Sequence, residues 1–217
     1  MEEKESLWKI SSELNNMLGK VNVDVEAVSK SYESHIASTE SLILEILEIK
    51  QILSKINIKS LDDFLNFCLF ISTFSLDISV VLHRYILSKL PYELVYFSKS
   101  SALLCFEYLN SIHNAFNKFA KSAPVIFQPD VILIKTTLKQ FGKIKKNFPQ
   151  LETTRNLIAA HRHDNSFEYM KITYEMDSYK YIDLIGDMLK INNALFITNE
   201  RILKKYDEVL EKALSKR

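Results

Sequence analysis

An all-α fold is what this sequence predicts, and three observations carry the prediction. Only three glycines and four prolines occur in 217 residues, too few turn residues for the many tight hairpins of a β fold. Apolar residues recur at spacings of three and four over long windows, the period of a helix face. The breaks are few and far apart, at KLPYE, SAPVIFQPD and KNFPQ, so the elements between them must be long. The expected architecture is an elongated multi-helix bundle of about seven helices.

Taken in order, Leu7, Trp8, Ile10, Leu14, Met17 and Leu18 place a helix over 7–18. Residues 23–57 read as one long helix, with Ile43, Leu44, Leu47, Ile52, Leu53 and Ile56 on its apolar face. KSLDDFL then supplies a start signal, with Ser60 as the cap and Asp62 and Asp63 as first-turn acids. That helix runs from 61 to about Lys89, and Pro91 suits the first turn of the next. Residues 92–121 form an aromatic-rich helix carrying Tyr92, Tyr96, Phe97, Phe106, Tyr108, Phe116 and Phe119. SAPVIFQPD is the clearest loop and the one credible internal boundary. A basic helix follows at 130–146, KNFPQ breaks it, and a short helix ends near HDNSF. FEYMKITYE, 167–175, fits either a short strand or an extended connection. From Ser178 to about Leu214 the pattern is helical again, on a stripe of Ile182, Ile185, Leu189, Leu195, Ile202 and Leu203. The chain is read as a single all-α domain over 1–217, with 1–60 as an N-terminal helical extension and 61–217 as the core.

Composition narrows the class. Hydrophobic residues make up 47% and charged residues 25%, ordinary values for a globular protein with a real core. Cys68 and Cys105 sit in apolar helical contexts, NFCLF and LLCFE, and are expected as buried free thiols. The acidic start MEEKESLWK has no apolar core of a signal peptide, so a cytoplasmic location is expected. The longest apolar run, 64–82, contains Asp77, Asn66 and four hydroxyl residues. It reads as a buried helix rather than a membrane span, and no membrane partner is expected. Charge is uneven. Residues 1–63 carry twelve acids against seven lysines, whereas 130–163 carry five lysines and two arginines against Asp130 and Glu152. Such a run is either a solvated helix face or the electrostatic footprint of a polyanion.

Most chemistry-bearing motifs are missing. The histidines 35, 83, 113, 161 and 163 form no metal-ligand spacing, so no metal or other cofactor is expected. The glycines at 19, 142 and 186 are isolated, which leaves no phosphate loop. What remains is TTRNLIAAHRHDNSFEY, residues 153–169, which gathers Arg155, Asn156, His161, Arg162 and His163. Guanidinium groups hold phosphates in bidentate fashion. Imidazole moves protons near neutral pH. On RNA the 2′-hydroxyl is already the nucleophile, so cleavage needs only positioning, proton transfer and charge stabilisation. The plainer reading is that Arg155 and His161 hydrogen-bond between helices.

Arg155-Asn156-Leu157-Ile158-Ala159-Ala160-His161 resembles the signature of the HEPN superfamily, and RNLIAAHRHD is similar to the corresponding run in AbiU2-like members. Those domains are α-helical and commonly dimeric, and many are metal-independent ribonucleases of toxin–antitoxin, abortive-infection and other defence systems. The resemblance implies a HEPN-like core over 61–217 and Arg155, Asn156 and His161 as the catalytic set at a homodimer interface. It also implies RNA as substrate and an antitoxin or regulatory protein as partner. Lys145, Lys146, Arg162 and His163 lie near in sequence and are candidate RNA-phosphate contacts. The rival from another class is a non-catalytic helical protein-interaction or RNA-binding module.

Overall fold

The apolar run at 64–82 becomes the middle of the helix against which most of the chain packs. A computed structural model describes residues 24–53, 58–159 and 178–214. Among these residues there are six α-helices, one 3-10 turn and no strand. They are α1 (Val25–Leu53), α2 (Lys59–Leu87), α3 (Pro91–Ser122), α4 (Gln128–Asn147), α5 (Gln150–Ala159) and α6 (Ser178–Leu214). The multi-helix bundle expected from the sequence is therefore observed. The expected helix at 7–18 and the ambiguous segment 167–175 lie outside the described residues.

α2 buries Phe64, Phe67, Ile71, Phe74 and Ile78 in the core and packs against α1, α3 and α6. It is long and apolar enough to cross a bilayer, and 56% of its most apolar window is buried inside the protein. Aromatic rings join it to α3, with Phe74 stacked on Tyr108 at 3.8 Å and Phe64 meeting Phe119 at 4.9 Å between centroids. Offset and tilted ring pairs of this kind add about 1 kcal/mol each beyond their burial. α6 closes the bundle. Its buried stripe Tyr181, Ile185, Met188, Asn192, Leu195, Asn199, Ile202 and Tyr206 alternates spacings of four and three, the repeat of a helix packed along its neighbours. Phe127, in the 3-10 turn, packs on Tyr206 with ring centroids 4.4 Å apart.

Three expectations need correction. SAPVIFQPD separates α3 from α4, but it is no extended loop. Only Ala123 and Pro124 leave helical structure before the 3-10 turn Val125–Phe127, and Pro129 falls in the first turn of α4, where its missing N–H costs nothing. Asp130 then ties α4 to α6 through Arg201 Nε at 2.7 Å and Lys205 Nζ at 2.6 Å. Ser60 is not the cap of α2. The helix starts from Ile58, whose carbonyl accepts the N–H groups of Leu61 and Asp62, while Asp62 pairs with Lys50 of α1. The apolar face of α1 is also rotated from expectation. Thr39 and Ile46 are buried, whereas Leu44, Leu47 and Ile52 are exposed. α1 carries aliphatic residues on two sides and has α2 as its main neighbour, so among the described residues one side is covered.

Candidate functional site

The short helix α5 is positioned by its first turns. Leu151 and Thr154, three residues apart on one face, are buried. The Thr154 hydroxyl shares a hydrogen bond of 2.8 Å with the Tyr181 hydroxyl at the start of α6. With that face inward, Arg155 falls on the flank of α5 that meets α3 and is half-buried. Its Nε lies 3.5 Å from a carboxylate oxygen of Glu107, and its guanidinium carbon sits 5.6 Å from the centre of the Phe106 ring. At that distance the Glu107 contact is an ion pair and not a hydrogen bond; Nε is buried without a hydrogen-bond partner among the described residues. Nη1 donates to the side-chain oxygen of the adjacent Asn156 at 3.2 Å. Arginine and asparagine of the motif are thus oriented by one another, and the arginine lies over an aromatic ring on α3.

Lys145, at the end of α4, donates to the side-chain oxygen of Asn110 at 2.7 Å. Asn110 and Glu107 are one turn apart on α3, so Lys145 and Arg155 converge on the same stretch of that helix from two different elements. Lys146, the next residue, is exposed about 100° further around α4. His161, Arg162 and His163 lie outside the described residues. The structure therefore brings together Arg155, Asn156 and Lys145 of the sequence-derived set.

Glu107 and Phe106 were not among the candidates. Nothing in their sequence context marks them, because they acquire a role only through the packing of α5 on α3. Two further groups stand out by environment. Lys99 on α3 is buried, and desolvation pushes its ammonium down to about 8. Cys68 and Cys105 are free and buried, and desolvation pushes both thiols well up, as befits packing residues rather than nucleophiles. Among the described residues no three His, Cys, Asp or Glu side chains gather in a way that could hold a metal ion.

No protein-family model, curated protein or solved structure matches this chain.

Proposed function

We propose that the chain is a metal-independent endoribonuclease of the HEPN type, belonging to a prokaryotic defence or toxin–antitoxin system and acting as a homodimer. The observation that carries this reading is the coupling of Arg155 to Asn156 beside a second cation, Lys145, on one stretch of α3. A guanidinium fixed on an aromatic ring is pre-organised to meet phosphate charge. Asn156, exposed beside it, is placed to hydrogen-bond a phosphate oxygen or a sugar hydroxyl. In this reading His161 moves the proton of the 2′-hydroxyl or of the leaving group, and Arg155 stabilises the charge that builds at phosphorus.

The test is incubation of the purified protein with a mixed tRNA and mRNA pool in EDTA, beside Arg155→Ala and His161→Ala. The expected result is cleavage by the wild type, with each variant slower by roughly 100-fold or more. Cleavage left unchanged in both variants overturns the assignment. Light scattering on the same samples is expected to give about twice the 25.2 kDa chain mass.

A second reading, a non-catalytic helical interaction or RNA-binding module, is favoured by one observation. Arg155 already meets an acid of its own chain, Glu107, and packs on Phe106. Under that reading Arg155→Ala lowers the melting temperature, and the wild type cuts no RNA.

A further inference from the structure

The outward face of α4 carries no acid. Its exposed residues between Ile132 and Asn147 are apolar, uncharged polar or lysine. The one carboxylate of this helix, Asp130, is buried and neutralised by Arg201 and Lys205. A solvated helix face ordinarily alternates acids with lysines at spacings of three or four, because those pairs add stability and solubility. Here four lysines, Lys135, Lys139, Lys143 and Lys146, follow one another at spacings of four, four and three, and so share one stripe. None of them has an ion-pair or hydrogen-bond partner among the described residues. Like charges at such spacing repel, so the stripe costs the isolated helix stability. Among the described residues no acid of the adjoining α6 pairs with these lysines, and two of its acids, Asp187 and Glu200, are engaged by Lys190 and Lys204 of that same helix.

We infer that this face of α4 is a track for the phosphodiester backbone of an RNA strand, leading toward Arg155. The four ammonium groups are about 6 Å apart in sequence along the helix and span about 16 Å, the length of several successive phosphates. Between them lies Gly142, where a Cβ would meet nothing within 4 Å, so an approaching strand finds open space there. The stripe ends beside Lys145, which together with Arg155 brackets Asn110 and Glu107 on α3. No exposed aromatic residue lies on this face of α4. Contact is therefore to phosphates and carries no base preference. The inference rests on the RNA reading above for the identity of the polyanion, but it requires no cleavage.

The experiment is a binding titration with a single-stranded 2′-O-methyl RNA of about 20 nucleotides, which cannot be cut through its 2′-oxygen, at several salt concentrations. The wild type is compared with Lys135→Gln/Lys139→Gln/Lys143→Gln/Lys146→Gln and with a control, Lys204→Gln, whose lysine is paired with Glu200. Each phosphate contact on a single strand contributes a slope of about −0.7 in log affinity against log salt. The quadruple variant is expected to lose close to three units of that slope. Equivalently, it lacks the roughly 50-fold weakening that four contacts produce between 50 and 200 mM salt. An unchanged slope overturns the inference, as does an equal loss in Lys204→Gln. Binding to phosphatidylserine vesicles in place of the RNA overturns it too. Because the probe is not cleavable, a protein without nuclease activity still passes or fails on binding alone.

Discussion

Lys99 places a cation where its residue type is seldom found. An ammonium on a buried face of α3 is held near 8 by desolvation, below its ordinary value of 10.5. The folded state then binds fewer protons at this group than the unfolded chain wherever pH lies between about 8 and 10.5. Stability from this group therefore rises with pH across that window and is lowest below it. Lys99→Met is expected to lose this pH dependence, so the difference in stability between the two proteins changes as pH climbs from 8 toward 10.5. Urea melts of both proteins across that range decide it; a pH-independent difference removes the buried charge as the cause. None of this was visible in the sequence, where Lys99 stands in an ordinary FSKSS context. Arg155 and Asn156, in contrast, were legible from their types and adjacency alone. Their partners Glu107 and Phe106 were not, since tertiary packing of α5 on α3 selects them.

Within α6 two asparagines seven residues apart occupy equivalent places in the buried stripe and differ in their partners. Asn192 accepts a hydrogen bond from the Tyr108 hydroxyl at 2.5 Å and donates one to the carbonyl of Ile71 at 3.2 Å. Asn199, equally buried, has no partner for either side-chain atom among the described residues. A satisfied buried amide resists removal, whereas an unsatisfied one costs its desolvation. Asn192→Leu is expected to destabilise by about 2 kcal/mol, leaving the Tyr108 hydroxyl and the Ile71 carbonyl unpaired. Asn199→Leu should be neutral or stabilising by about 1 kcal/mol. Chemical denaturation of the two variants separates them, and equal losses sink the distinction. At this scale the helix spans were readable because the 3.6-residue period is local. The covered side of α1 was not. Its aliphatics lie on two faces, and only the position of α2 decides between Ile46 and Leu44. SAPVIFQPD does part α3 from α4, but with a shorter loop than its two prolines suggest, because one of them begins the next helix.

Across the whole molecule, the central pair of helices each carry one buried thiol, Cys68 on α2 and Cys105 on α3. Both are inert while the bundle is closed, because burial suppresses the thiolate. In pulse labelling with an alkylating reagent, both are expected to react at the same rate, set by global unfolding. Markedly faster modification of one would mean that its helix opens by itself. The all-α class was legible from the scarcity of glycine and proline. The sequence did not show that α2 and α6 would meet, a pairing of residues more than a hundred positions apart.

That pairing has a consequence for how the chain is made. Phe64 packs against Tyr206, and the Ile71 carbonyl receives Asn192 from α6. On the ribosome α2 emerges before α6, and about 140 residues must follow Phe64 before Tyr206 arrives, an interval of roughly 7 to 28 seconds at ordinary elongation rates. During that time one flank of a highly apolar helix has α1 and α3 for cover but not α6. Until α6 arrives, that flank is exposed apolar surface of the kind that makes an incomplete chain prone to aggregate.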